Sequence, residues 1–127
     1  MLEKAHKSTI TGYFRMLETF LTKLKDRPLD LDFKETLNLI DSLYTFADTS
    51  FQNGSALNEA GQNSGSCKVF AFAKLHHLDE PQTLLCFGQY YRKVVATPNA
   101  VNHQNIRQFM QTRWKTLLMS TNPLTLK

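Results

Sequence analysis

The sequence lacks long apolar runs and has few of the residues that dominate special folds. Its apolar runs, such as residues 69–73, are far shorter than the roughly 20 residues that a transmembrane helix needs. Four prolines and five glycines are too few for a collagen-like or proline-rich chain. With 42% hydrophobic residues, the 127-residue chain is instead expected to form one globular domain, residues 1–127.

Cysteine is scarce as well, since Cys67 and Cys86 are the only two. Two cysteines in a chain of this length do not form the dense disulfide framework of a small secreted scaffold. Residues 1–7 also lack the apolar centre and cleavage site of a secretory signal peptide. We therefore expect reduced thiols, and we read Asn53-Gly54-Ser55 as a turn rather than as a glycosylation site.

Acidic residues are absent from the last third of the chain. Residues 1–80 carry a net charge of −2, whereas residues 81–127 carry +6. Either the two parts attract each other within the fold, or the basic part faces an acidic partner.

Apolar residues recur at steps of three and four in five segments, which indicates amphipathic helices. Pro28 should end the first helix near Asp26 because proline disfavours helical geometry in the residue before it. Capping-box spacings mark the starts of the second and fourth helices, at Asp32 and Asp79. In order, the predicted helices cover residues 9–26, 33–44, 67–77, 80–95 and 103–114.

The segments between these helices complete a predicted all-α fold, a compact bundle of about five helices. Residues 45–66 are rich in Asn, Gly, Ser and Gln, and they are expected to form one long polar loop packed near residues 103–107. Gly88 falls on the apolar stripe of the fourth helix, where we expect another helix to approach closely. Residues 117–126 fit either a short strand or an extended arm.

Seven short segments carry a family resemblance: Asn53-Gly54-Ser55, Glu59-Ala60-Gly61, Asn63-Ser64-Gly65-Ser66-Cys67-Lys68, Phe70-Ala71-Phe72-Ala73, Cys86-Phe87-Gly88, Tyr90-Tyr91-Arg92 and His103-Gln104-Asn105-Ile106-Arg107. Together they resemble the HopJ type III effector family, over about Phe20 to Trp114. The resemblance implies a bacterial protein of the cytoplasm or one delivered into a host cell by type III secretion, and it implies no established activity. Injected proteins usually begin with a flexible, Ser-rich segment, whereas this chain has a predicted helix from residue 9.

One hypothesis makes Cys67 the nucleophile of a hydrolase or transferase. A cysteine at a helix start, beside Lys68, sees positive charge that favours thiolate, and His103 and Asn105 would serve as base and orienting group. Papain-like enzymes have a similar Gly-Ser-Cys segment, but their histidine lies farther downstream than this chain extends. A buried, unreactive cysteine is the alternative that we favour.

We expect no metal and no cofactor. His76 and His77 are adjacent, so they point to different sides of a helix and do not readily share a metal ion.

The leading hypothesis is a protein-binding module whose partner is a host or bacterial protein, with no membrane association predicted. Its polar groups are expected either to bind that partner or to satisfy one another within the fold. The predicted binding residues are Asn53, Asn63, Ser64, Ser66, Lys68, Arg92 and Arg107. The mutual network would consist of Asn63, Ser64, Ser66, Cys67, His103, Asn105 and Arg107.

Nucleic-acid binding through the basic C-terminal third is a further alternative. Cations and aromatic rings are mixed there, as in platforms for single strands, although the same residues also suit core and solvated helix faces. The residues concerned are Tyr90, Tyr91, Arg92, Lys93, Arg107, Arg113, Trp114 and Lys115.

Overall fold

A computed structural model describes the backbone of residues 2–127 and the side chains of residues 10–127. Over these residues the fold has six α-helices and five short β-strands, so the all-α prediction is wrong. The elements are α1 (Leu2–Asp26), α2 (Phe33–Leu43), β1 (Tyr44–Phe46), β2 (Phe51–Asn53), β3 (Ala56–Asn58), α3 (Ser64–Leu75), α4 (Glu80–Leu85), α5 (Gln89–Ala96), α6 (Gln104–Thr112), β4 (Leu117–Met119) and β5 (Leu124–Leu126).

The strands form two small antiparallel sheets. One sheet pairs β1 with β5, and the other has the order β3-β2-β4. Gly54 and Ser55 make the two-residue turn between β2 and β3, and Gly54 takes the positive φ of 60° that such turns need. Three-residue strands are too short to show an alternating pattern, which is why residues 45–66 read as a loop. The tail over residues 117–126 supplies two strands, which confirms the strand alternative.

Gly88 divides the predicted fourth helix into α4 and α5. Its φ of 58° and ψ of −129° are not helical, so the chain turns there although the apolar stripe continues through it. The predicted close approach is confirmed, because a Cβ atom at this position would lie 2.5 Å from the backbone N of Phe33. Gly88 therefore allows the start of α5 to pack directly on the start of α2.

Three helix boundaries follow the predicted signals. The first helix ends at Asp26, ahead of Pro28. Asp79 and Gln82 form both bonds of a capping box at the start of α4. Asp32 caps α2 by accepting a hydrogen bond from the backbone N of Glu35.

The starts of α3 and α6 differ from prediction. The predicted third helix begins at residue 67, whereas α3 begins at Ser64, and α6 begins at Gln104. The residues that precede the two helices, Asn63 and His103, have φ values of 52° and 53°, and their side chains form no capping bond. Both helices therefore begin from a left-handed residue, a geometry that apolar periodicity does not reveal.

The core is centred on α3. Phe70 and Phe72 have no exposed surface. The ring of Phe70 lies 5.4 Å from that of Phe87 and 5.0 Å from that of Phe109, so aromatic packing joins α3 to the residues just after α4 and to α6.

The apolar stripe of α1 is only partly covered. Phe20 and Leu24 are buried, whereas Ile10 is 38% exposed and Phe14 is 65% exposed. Among the described side chains of α1, full burial is therefore confined to the C-terminal half of the helix.

Candidate binding cleft

A cluster of asparagines joins the β2–β3 hairpin to the start of α6. Asn53, Asn58 and Asn105 are all buried. The Nδ2 of Asn53 donates to the backbone O of Asn105 at 2.8 Å and to its Oδ1 at 3.1 Å. The Nδ2 of Asn105 donates in turn to the Oδ1 of Asn58 at 3.0 Å. We call this group, with Asn63, the amide cluster.

Asn58 lies at the centre of the amide cluster. Its Oδ1 accepts hydrogen bonds from Asn63, at 2.7 Å, and from Asn105. Its Nδ2 donates to the Oδ1 of Asn105 at 3.2 Å. Because both ends of the Asn58 amide are used, the cluster holds the hairpin, the start of α3 and the start of α6 in one arrangement.

A cleft of about 560 Å³ opens beside the amide cluster. The strand β3 forms one side, the start of α6 another, and aromatic side chains complete the wall. The lining residues are Phe33, Ala56, Leu57, Asn58, Asn63, Ser66, Phe87, Tyr90, His103, Gln104, Asn105 and Ile106.

The aromatic wall is a chain of packed rings. The Tyr90 ring lies 5.3 Å from Phe33 in an edge-on arrangement and 5.2 Å from the His103 imidazole. Phe33 stacks on Phe87 with centroids 5.8 Å apart. Since Phe87 is buried, these contacts anchor the wall in the core.

Several polar groups in the cleft have unused hydrogen-bonding capacity. Among residues 10–127, the side chains of Ser66, Tyr90 and His103 form no hydrogen bond, although all three line the cleft. Asn63 uses one of its amide hydrogens in the amide cluster and keeps its carbonyl oxygen. These groups are available to a ligand without breaking any bond within the fold.

The outer edge of β3 adds backbone groups to this surface. In an antiparallel hairpin with a two-residue turn, the pair next to the turn, Asn53 with Ala56, is hydrogen-bonded. The following pair, Gln52 with Leu57, is not, so the N–H and C=O of Leu57 point away from β2. The Leu57 side chain is 75% exposed.

The structure brings four of the predicted residues together. Asn63, Ser66, His103 and Asn105 all line the cleft. Asn53 lies behind it with no exposed surface, which agrees with the turn reading of Asn53-Gly54-Ser55. Sequence reasoning missed Leu57 and Asn58, because nothing in the local pattern marks these residues as part of a strand.

The remaining predicted binding residues are engaged within the fold. Ser64 donates to Asp48, and Lys68 forms an ion pair with Asp41 at 2.8 Å. Arg92 donates to the backbone O of Leu31 at 3.1 Å.

Arg107 is held in the same way. Its guanidinium donates to the backbone and side-chain oxygens of Thr97 and of Asn102. The bonds of Lys68, Arg92 and Arg107 are therefore structural, and the cleft rather than these cations offers unsatisfied groups.

The geometry does not give Cys67 the properties of a nucleophile. The residue is 1% exposed, and burial raises the pKa of its thiol. A backbone hydrogen bond with Thr49 opposes the rise in pKa, while the Asp48 carboxylate adds to it. Reactive cysteines need access to solvent and a lowered pKa. Burial also raises the pKa of the second thiol, Cys86, to about 12.

Neither proposed partner of Cys67 is hydrogen-bonded to its thiol among the described side chains. Asn105 belongs to the amide cluster, and the His103 ring packs against Tyr90. The arrangement therefore offers no support for a catalytic set of Cys67, His103 and Asn105.

The aromatic residues of the basic third do not form a stacking platform. Trp114 packs against Phe70 and Phe109 with centroids 6.5 and 5.1 Å apart, and Tyr91 is half-buried against the core. Tyr90 faces the cleft.

No group of three His, Cys, Asp or Glu side chains within residues 10–127 is placed to hold a metal ion. Among the helices of residues 2–127, none has both the length and the apolar character needed to cross a membrane.

Comparison with known proteins gives one family and one similar structure. The family model described as HopJ type III effector protein matches residues 17–124. A crystal structure of a protein of unknown function, VPA0580, is 43% identical in sequence with a TM-score of 0.85, covering 87% of this chain and 93% of that one. No curated protein matches the chain.

Proposed function

Because the chain belongs to the HopJ type III effector protein family, we propose that it acts as a protein-binding module whose recognition site is the cleft beside the amide cluster. The observation that carries the proposal is the meeting of an open strand edge at Leu57 with the unsatisfied groups of Ser66, Tyr90 and His103.

An extended peptide segment suits this combination of groups. Such a segment can add to the edge of β3, where its backbone would pair with the N–H and C=O of Leu57. Its side chains would then face Phe33 and Tyr90 on the aromatic wall, and its polar groups would meet Ser66 and His103. Aromatic rings with a few convergent polar groups are typical of recognition sites.

The amide cluster gives the cleft a fixed shape before a partner arrives. Asn58 and Asn105 hold two of its sides through buried hydrogen bonds. A preformed site loses less conformational entropy on binding, so more of the contact energy contributes to affinity.

Peptide display followed by NMR mapping tests the recognition site. Peptides selected on the wild-type chain should shift the amide signals of residues 56–58, 63–66 and 103–106. Ser66→Trp, which fills the cleft, and Leu57→Asp, which puts a charge beside the strand edge, should each weaken binding about tenfold or more.

Leu126→Asp is the matched control, because Leu126 is 62% exposed but lies in the other sheet. It should leave peptide affinity unchanged. Peptides that bind Ser66→Trp as tightly as the wild type, or that shift other residues, would refute the cleft as the site.

We further propose that the partner belongs to a host cell reached by type III secretion, as the family assignment supports. Fused to a translocation reporter, the chain should reach host cytoplasm from secretion-competent bacteria and not from a strain without a working secretion apparatus. Equal signals from the two strains, or no signal from either, would contradict delivery by this route.

A further inference from the structure

A groove of about 390 Å³ lies between α5 and α6, apart from the cleft. Both helices contribute apolar surface to it, since Val95 of α5 is 54% exposed and Met110 of α6 is 40% exposed. The buried Val94 and the connecting residues Pro98 and Ala100 also line it. Each of the two helices is about 12 Å long, so about two turns of another helix could lie along the groove.

The part of the chain that builds this groove carries positive charge only. Residues 81–127 have a net charge of +6 and no acidic residue. The two ion pairs found within residues 10–127 both lie entirely before residue 81. Every acidic residue except Glu3 has a described side chain, so contact with these acids does not neutralise the cations of the last third. Of the two explanations for the charge asymmetry, this favours an acidic partner.

Arg107 places one of these charges in the groove itself. Its guanidinium donates hydrogen bonds to uncharged oxygens only, those of Thr97 and Asn102. These bonds fix the position of the guanidinium without neutralising its charge. A cation that is already held in place loses little conformational entropy on meeting a carboxylate, so Arg107 suits an acidic residue bound beside the apolar surface.

We propose that this groove docks an acidic amphipathic helix of a protein partner. The apolar side of that helix would lie on Val95 and Met110, and a carboxylate on its flank would meet Arg107. No strand residue lines the groove, so it suits a helix rather than the extended segment proposed for the cleft. The two sites have different lining residues apart from Gln104, which borders both.

Nucleic acid is the other polyanion that a basic surface attracts, but this groove lacks the rings on which single strands stack. None of the described residues that line it is aromatic. The rings of Tyr91 and Trp114 pack against the core instead. Apolar side chains without aromatic rings match the apolar side of a protein helix better than they match bases.

A display library of helical peptides tests the chemistry of the partner. Each peptide keeps leucine along one face, at steps of three and four residues, and varies Glu, Lys and Gln equally at the flanking positions. Selection on the wild-type chain should enrich Glu over Lys about tenfold or more. A library without binders, or one that enriches Lys as often as Glu, would overturn the proposal.

Aspartate substitutions test where an enriched peptide binds. Val95→Asp and Met110→Asp should each weaken binding about tenfold or more, because each removes an apolar contact and puts a like charge into the groove. Both residues are exposed, so the melting temperature should stay unchanged. Leu118→Asp is the matched control, since Leu118 is 63% exposed but lies in β4. It makes the same change in net charge and should leave the affinity unchanged.

Two further outcomes would contradict the proposal. Equal weakening by all three aspartate variants would show that net charge alone attracts the peptide. A single-stranded oligothymidylate that displaces the peptide, and that itself binds Val95→Asp more weakly than the wild type, would assign the groove to nucleic acid instead.

Discussion

Four asparagines hold together parts of the chain that are distant in sequence. Asn105 links the start of α6 to the hairpin, because its side chain forms hydrogen bonds with both Asn53 and Asn58. Asn105→Ala would remove three side-chain hydrogen bonds and leave part of the hydrogen-bonding capacity of both buried amides unused, although Asn53 would keep its bond to the backbone O of residue 105. We expect the free energy of unfolding to fall by about 2–4 kcal/mol, because unsatisfied buried polar groups lose their solvation without compensation.

Asn63→Gly is the matched control in urea denaturation, because Asn63 is exposed, contributes one bond and has a positive φ that glycine adopts without strain. Its effect should stay below about 1 kcal/mol. Equal effects of the two substitutions would show that the amide cluster does not act as the buried framework of the cleft.

His76 should make the protein sensitive to acid. Its Nε2 lies 2.7 Å from the Tyr44 hydroxyl, and burial, with a smaller contribution from His77, lowers the pKa of the imidazole. Because the folded pKa is below the unfolded value of about 6.5, the stabilising effect is complete above pH 6.5 and is lost as the pH falls through that value towards the folded pKa.

The melting temperature should therefore fall between pH 7 and pH 5, and this fall should be smaller in His76→Gln. The exposed neighbour His77 supplies the comparison, since His77→Gln should keep most of the pH dependence. An unchanged pH profile in His76→Gln would show that other groups cause the acid sensitivity.

At the scale of elements, the contact between the starts of α2 and α5 depends on one glycine. A Cβ at position 88 would lie 2.7 Å from the Cα of Asp32 and closer still to the backbone of Phe33, and φ is positive. Gly88→Ala should lower the free energy of unfolding by about 3 kcal/mol or more, because backbone atoms cannot move aside as a flexible side chain can.

Gly61→Ala separates the steric cost of an added Cβ atom from the conformational cost of a positive φ. Gly61 also has a positive φ, of 89°, but no atom lies within 4 Å of its Cβ position. Its substitution should cost about 1 kcal/mol. Thermal or urea unfolding measures both variants, and a Gly88→Ala variant no less stable than Gly61→Ala would contradict the close contact.

At the scale of the whole molecule, two strands near the end of the sequence complete two separate sheets. Leu124 of β5 is 4% exposed and β5 pairs only with β1, whereas Thr125 on the same strand is exposed. Leu124→Asp should destabilise the protein by about 3 kcal/mol or more, because it removes a buried side chain and buries a charge. Thr125→Asp should have little effect.

Hydrogen exchange distinguishes local unfolding of one sheet from unfolding of the whole protein in this variant. In Leu124→Asp, the amides of residues 44–46 should lose protection before those of residues 51–53, which pair with β3 and β4 instead. Simultaneous loss in both sheets at low denaturant would show that the two sheets unfold as one unit.

Local signals in the sequence determined most helix positions and the family. Periodicity located the apolar faces, Pro28 ended α1, and the Asp79 capping box began α4, because each signal acts within a few residues. The family segments were equally local, and the family match over residues 17–124 confirms them.

Tertiary structure alone decided the sheets, the break at Gly88 and the composition of the cleft. Strand β2 pairs with β4, more than 60 residues away, and Asn58 bonds Asn105, which is 47 residues away. The exposure of Phe14 was likewise undecided by its apolar spacing, which suits a core and an interface equally. In each case the deciding contact joins distant segments, and short-range periodicity contains no information about which distant surfaces meet.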